Sequence, residues 1–229
     1  MKKKIFITSD GSSSIYLPDL DETYHSKHGA IQEAYHVFIK NGLDLFSNHT
    51  PINIMEIGFG TGLNCFITYL ESEKRNLKIT YNGVEAYPLQ AEEISQLNYV
   101  TELKAQKKAV IFQKMHHASW GKGHQIDTNF TLLKRKQFFK KIEDLNSFDL
   151  VYFDAFGANV QPELWSEEIF EKMYNSLKNN GVIVTYAAKG SVRRAMQKVG
   201  FEVERLPGPP GKREMLRGKK IQKNPKGNK

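Results

Sequence analysis

From residue 52 onward the chain alternates short apolar runs with segments whose apolar residues recur at helical spacing. That alternation marks a parallel α/β sheet with helices on its faces. Strands are expected at Ile52–Ile57, Ile79–Val84, Phe130–Leu133, Phe148–Phe153 and Val182–Ala187, with Phe201–Leu206 and about Arg213–Leu216 as a closing pair. A helix is expected from about Pro162, with Trp165, Ile169, Met173 and Leu177 on one side and Asn180-Gly181 as its stop. Ser191 is the expected N-cap of a second, whose face is Val192, Ala195, Met196 and Val199 and which Gly200 ends. Pro88 opens a third, carrying Leu89, Ile94 and Leu97. Residues 1–51 break the pattern: a turn-rich start (Ser9-Asp10-Gly11-Ser12), then one amphipathic helix with Ile31, Ala34, Tyr35 and Phe38, closed by Asn41-Gly42. They read as an extension packed on an α/β body, with room for a small hairpin. Residues 113–128, rich in His, Gly and Lys, read as a loop.

Charge changes the picture at one end. The chain of 229 residues has a formal net charge of +8. Arg205 to Lys229 holds nine Lys/Arg and one acid, whereas residues 1–204 hold 24 of each sign. A neutral body, residues 52–218 with the extension 1–51, therefore carries a basic end, of which 219–229 is expected to be a disordered tail. A polyanionic partner follows as a hypothesis. The single Cys65 excludes an intrachain disulfide and a cysteine-based metal cluster and fits a reducing compartment. Three lysines open the chain, but the apolar run after them is far shorter than the ~7–15 residues of a secretory core, and no window approaches the ~20 of a membrane span. A soluble, cytoplasmic protein is expected.

The candidate chemistry begins at Glu56-Ile57-Gly58-Phe59-Gly60-Thr61-Gly62-Leu63-Asn64. A strand runs into three alternate glycines and then a helix, a turn that lets a cofactor approach the backbone. A dinucleotide fingerprint, G-x-G-x-x-G, would need glycine at Leu63. Here the third glycine is Gly62, and Glu56 lies two residues before the first. That E-x-G-x-G-x-G form is the usual opening motif of S-adenosylmethionine-dependent methyltransferases, and an acid suits a sulfonium and an amino group. Glu85, at the end of the second strand, can accept from ribose hydroxyls. The expected cofactor contacts are Glu56, Gly58, Phe59, Gly60, Gly62, Asn64 and Glu85. Asp154 ends the fourth strand, where the ligand crevice of an open α/β sheet lies. It can hold a nucleophilic amine and take its proton, or it can cap the next helix. Trp165 can stack on a substrate base or belong to the core. No histidine pair has a metal-site spacing, so no metal is expected. Lys134-Arg135-Lys136 reads as a solvated charge run. If the last two strands form a hairpin, Arg193, Arg194, Lys212, Arg213 and Arg217 gather near the sheet edge as a phosphate-binding face, with Lys189 nearby.

Across residues 9–218 the chain resembles the MnmC/MnmD-type methyltransferase family, which makes 5-methylaminomethyl-2-thiouridine at the tRNA wobble position. The resemblance rests on Glu22-Thr23-Tyr24-His25-Ser26-Lys27-His28-Gly29-Ala30, on Glu56–Asn64 and Val84–Leu89, on Phe153-Asp154-Ala155-Phe156 with Pro162–Trp165, and on Lys212–Gly218. It implies a class I methyltransferase fold, a Rossmann-like sheet of seven strands that is parallel except for its last. It also implies S-adenosylmethionine as cofactor, Asp154 as the catalytic acid, and Tyr24, Ser26 and Phe156 in the substrate site. The partner implied is the anticodon region of tRNA. Larger relatives fuse this unit to a flavin-dependent oxidase; here a separate flavin-dependent enzyme upstream is expected and no flavin in this chain. Relatives often carry Gly-Asp after the third strand, where the acid meets adenine. Lys134-Arg135-Lys136 stands there instead, which leaves adenine recognition to the backbone or another side chain.

Overall fold

The computed structural model describes residues 2–46 and 51–221. The chain opens with a three-stranded antiparallel sheet, β1 (Lys4–Ile7), β2 (Ser13–Leu17) and β3 (Glu22–Thr23), rather than a two-stranded hairpin. Helix α1 (Ala30–Ala34) follows and runs on as a π-helical turn over Tyr35–Lys40. The remaining strands are β4 (Ile52–Ile57), β5 (Ile79–Glu85), β6 (Gly123–Asp127), β7 (Phe130–Lys136), β8 (Phe148–Phe153), β9 (Leu177–Thr185), β10 (Phe201–Pro207) and β11 (Glu214–Lys220). The helices between them are α2 (Leu63–Lys74), α3 (Ala91–Ile94), α4 (Tyr99–Glu102), α5 (Ala109–His117), α6 (Glu167–Ser176) and α7 (Gly190–Lys198).

The eight strands form one sheet in the order β10-β11-β9-β8-β4-β5-β7-β6. From β9 to β7 every pairing is parallel, and β11 inserts antiparallel between β9 and β10. Successive residues of β4 point to opposite faces, as a strand requires. Ile52 and Ile54 therefore join the core under α1, α2 and α5. Met55 and Ile57 join the core under α6 and α7.

Several expectations need correction. The sheet has an eighth strand: β6 pairs antiparallel with β7 and lies, with half of α5, inside the segment expected to be a loop. Ile126 is the only apolar residue of β6, so an exposed edge strand leaves no periodic signal there. The helix after Pro162 splits into a 3-10 turn, Pro162–Trp165, and α6, which Ser166 caps through Ile169 N. It stops at Ser176. Leu177 already belongs to β9, and Asn180, at φ +63°, falls where the β8–β9 register shifts. Lys189, not Ser191, precedes the first turn of α7. Pro88 stands before α3, whose start is the capping box of Gln90 and Glu93. β11 reaches Lys220, whose ammonium donates to Leu177 O at 2.7 Å, so the first two residues of the expected tail are in the sheet. Residues 222–229 of that tail lie outside the described residues.

The two ends of the chain meet over one edge. Lys212, in the turn between β10 and β11, pairs with Glu33 of α1 at 2.5 Å. Arg217 donates to Asn41 O at 3.4 Å, and His36 Nε2 lies 2.7 Å from Pro207 O. Among the described residues no helix is long and apolar enough to cross a membrane.

Candidate active site

β4 and β8 are neighbours whose chains continue in opposite directions across the sheet, and a crevice opens outside the ends of such strands. Ile57 pairs with Phe153, and Asp154 N donates to Ile57 O at 2.9 Å, so the loops after both strands start at one rim. The N-terminal segment covers them. The resulting cleft has a volume of about 1170 Å³, and Tyr24, Gly58, Asn64, Glu85, Asp154 and Phe156 are among its walls.

The glycines earn their places by geometry. Gly58 has φ +89°, and a Cβ there would lie 2.4 Å from Asp154 O. Only glycine lets the two loops pack this closely. Gly62, at φ +72°, is the left-handed residue that starts α2. Between them, Gly60 N donates to Glu85 Oε2 at 3.1 Å, so the acid at the end of β5 also braces the loop.

Asn64 and Asp154 form the floor, and Glu56 lies buried behind them. Asn64 Nδ2 donates to Glu56 Oε1 at 2.9 Å and to Asp154 Oδ2 at 2.8 Å. Glu56 is 1% exposed, and burial holds its carboxyl well above the usual range. Asp154 opens on the cleft. Burial, followed by the nearby Glu33 carboxylate, raises it to about 7, against the donation from Asn64 and the charge of Lys212. Asn64 Oδ1 is buried without a partner, and the buried Tyr81 hydroxyl lies beside Glu56 and opposes the upward pull of burial on its carboxyl. An orphaned acceptor beside a glycine cradle, with the Asp154 carboxyl next to it, is the complement of an ammonium donor, so the residues present fit the amino-acid end of S-adenosylmethionine. The walls above are aromatic. Tyr24 meets Phe156 edge to face at 5.1 Å, and Tyr186 donates to Ala155 O at 2.7 Å. Tyr87 and Phe138, both largely exposed, form the outer rim at the ends of β5 and β7.

Other expected site residues are placed elsewhere. The ring of Phe59 is 3% exposed and packs among His116, Trp120 and the ammonium of Lys134, so only its backbone belongs to the loop. Trp165 is 5% exposed, donates Nε1 to Phe156 O at 2.7 Å and packs on Phe153, Phe170 and Tyr186; it is core. Ser26 is turned to Glu33 and His28 and is not part of the cleft wall. Lys212 and Arg217 are held by Glu33 and Glu204, so the hairpin forms but two of its cations are committed internally. Arg213 and Arg194 are exposed, Arg193 is half-buried, and Lys189 bonds Asn159. The hairpin also does not gather Arg193 and Arg194 with Lys212: their helix α7 packs in the layer opposite α1. Lys134 is no solvated charge. It is 2% exposed, donates to His116 O at 2.6 Å and sits 4.9 Å above Trp120, and burial lowers its ammonium to about 8. Sequence reasoning missed Glu33, Tyr186 and His25. His25 lies 3.1 Å from Ser14 Oγ, and burial depresses it to about 4, so it is neutral. Only its place within Tyr24-His25-Ser26 hinted at it.

The fold and the glycine cradle define a methyltransferase. The chain belongs to the S-adenosyl-L-methionine-dependent methyltransferase family, which its residues 90–221 match. Among relatives, it is 32% identical over 216 residues to the tRNA 5-methylaminomethyl-2-thiouridine biosynthesis bifunctional protein MnmC of Leptospira interrogans, covering 86% of this chain and 32% of that protein. The same-named protein of Cupriavidus metallidurans is 27% identical over 223 residues, covering 91% of this chain and 32% of its own length. The chain thus spans about a third of the curated relatives it matches. Its fold is that of the crystal structure of MnmC2 from Aquifex aeolicus, with a TM-score of 0.74 at 22% identity, covering 95% of this chain and 70% of that one. A methyltransferase from Pyrococcus furiosus aligns with a TM-score of 0.51 at 19% identity.

Proposed function

We propose that this protein methylates the aminomethyl amine of 5-aminomethyl(-2-thio)uridine at the wobble position of tRNA, giving 5-methylaminomethyl(-2-thio)uridine. The observation that carries the reading is Asp154: a recessed carboxyl at the cleft floor, beside the glycine loop and held by Asn64. The names of the relatives support the substrate.

In this reading Gly58, Gly60 and Gly62 cradle the cofactor by their backbone, Glu56 and Asn64 face its amino group, and Glu85 its ribose. Tyr87 and Phe138 offer apolar faces to the purine in place of the missing acid. When bound, the cofactor supplies a methyl group on a sulfonium centre. The residues of the chain have to present a neutral amine to it. An alkylamine with a pKa near ~10 arrives protonated. Transfer of its proton to an ordinary carboxylate is uphill by about 6 pH units, or ~8 kcal/mol; to a carboxyl raised to about 7 it is uphill by half of that. Asp154 takes the proton, the amine lone pair forms the new N–C bond as the bond from the methyl group to sulfur breaks and its electron pair stays on sulfur, and a secondary ammonium leaves. Tyr24 and Phe156 enclose the uracil, and Arg213, Arg194, Arg193 and Lys189 attract the backbone phosphates. Residues 1–51 act as the roof, 52–218 as the catalytic domain, and 219–229 as a source of non-specific attraction. A flavin-dependent activity upstream supplies the amine, in the cytoplasm.

A small-molecule substrate is the second reading, favoured by the internal pairing of Lys212 and Arg217. Incubation with labelled S-adenosylmethionine and bulk tRNA from cells lacking the activity, followed by nucleoside analysis, separates them. Label in 5-methylaminomethyl(-2-thio)uridine is expected. Label in another nucleoside, or none in tRNA, overturns the assignment.

A further inference from the structure

Asn64 has only one amide nitrogen, and both of its protons are used on carboxylates that come from different strands. Glu56 belongs to β4, Asp154 follows β8, and Asn64 is the second residue of α2. Its orientation is not free. With the amide turned over, Oδ1 would face both carboxyl groups as an acceptor, and neither would receive a donor from Asn64. The residue is 4% exposed, so water cannot take its place without an opening of the floor.

We propose that Asn64 is a positioning residue for Asp154: its amide ties Asp154 Oδ2 to Glu56, fixes the carboxyl against the floor and leaves the other oxygen to the substrate amine. The inference rests on the reading of Asp154 as the proton acceptor. Chemistry explains why an amide serves here. A lysine or arginine at this place would also hold both acids, but it would cancel the negative charge that draws an ammonium substrate. An aspartate would add a third acceptor and no donor. A neutral double donor keeps the two acids apart and in place while their charge remains available. It also favours the ionised form of each, since a carboxylate accepts better than a carboxylic acid. Asn64 Oδ1, on the same amide, is buried and unpartnered. A donor bound there would pull on the group that orients Asp154.

The test uses the full chain with Asn64→Ala, Asn64→Ser and Asp154→Asn. Two quantities are read: the pH profile of kcat on hypomodified tRNA, and the titration of the Asp154 carboxyl by NMR of selectively labelled, cofactor-free protein, its signal assigned by its loss in Asp154→Asn. In Asn64→Ala the acid limb and the NMR midpoint move together to higher pH by about one unit, which is roughly tenfold less turnover on the acid side of the limb. Turnover recovers in part above it. Asn64→Ser, which keeps one donor, returns part of the movement. A cofactor contact alone predicts something else: weaker binding of S-adenosylhomocysteine, with limb and midpoint unmoved. That result, or a loss of turnover equal at every pH, overturns the proposal. If Asn64→Ala does not fold, the titration of Asn64→Ser decides in its place. Asp154→Asn separates the two readings. Full turnover in that variant removes Asp154 as acceptor whatever Asn64 does, whereas no turnover there with an unmoved limb in Asn64→Ala overturns the Asn64 inference alone.

Discussion

Asp154→Asn is expected to make the protein more stable as it makes it inactive, and the gain should depend on pH. In the unfolded chain the carboxyl titrates near 3.8, and in the fold near 7. Between these values the folded protein holds a proton that the unfolded chain has released, so the stability of the wild type falls as pH rises through this window. The interval is about 3 pH units, and at ~1.4 kcal/mol per unit it amounts to at most about 4 kcal/mol, an upper figure because Asp154 opens on the cleft. Asparagine fits the same volume and still offers an oxygen to Asn64 Nδ2, so the variant keeps the hydrogen bond and loses the buried charge. Urea unfolding at half-unit steps from pH 4 to 8 measures the difference, since urea carries no charge of its own. The two proteins should be equally stable near pH 4 and diverge to a few kcal/mol by pH 8. Glu56, also raised by burial, is present in both, and relief of its repulsion with Asp154 adds to the gain in the same direction. Parallel stability curves would refute the reasoning, for they would mean that Asp154 titrates alike in the folded and unfolded chain.

Glu33→Gln removes the acid next in influence on Asp154 after burial, so the acid limb of kcat should move to lower pH, opposite to the movement expected for Asn64→Ala; pH–rate profiles check this. Gly58→Ala places a methyl group 2.4 Å from Asp154 O and should abolish cofactor binding in calorimetry while lowering the melting temperature. Arg213→Glu, at a side chain 91% exposed, should weaken tRNA binding and reduce the slope of log affinity against log salt by about one, whereas Arg217→Glu should instead lower stability by breaking the pair with Glu204. Trp165→Ala should cost about 3–5 kcal/mol of stability, measured by urea unfolding, and a loss of substrate affinity in the still-folded variant would refute its place in the core.

Most of the sheet could be read because its strands are buried on both faces. Ile52–Ile57 and Phe148–Phe153 are mostly apolar, interrupted only by Asn53 and Glu56 and by Asp149, and sit where the spacing puts them. The same rule hid β6, whose single apolar residue carries no pattern, and it lengthened the helix before β9, because Leu177 continues a helical repeat while serving as the first buried residue of a strand. The loop glycines and Asp154 were legible because local chemistry dictates them. Lys134 was not, since no local signal distinguishes a lysine beside Arg135 and Lys136 that reaches a carbonyl under an indole from one in water. The fate of Lys212 and Arg217 was equally hidden. Their partners, Glu33, Asn41 and Glu204, are set by topology, and two of these lie more than 170 residues away.

That long-range clasp has a consequence for biosynthesis. Glu33 leaves the ribosome 179 residues ahead of Lys212, its ion-pair partner. Until Lys212 emerges Glu33 lacks that cation, and the N-terminal segment around Tyr24 is fastened only through nearer residues such as Glu93 and Asn98. The glycine loop and Asp154 can assemble on their own strands before then, but the clasp on Glu33 closes only when the β10–β11 turn emerges. A nascent chain therefore passes through a stage in which the strands on both sides of the cleft are present and the clasp is still open.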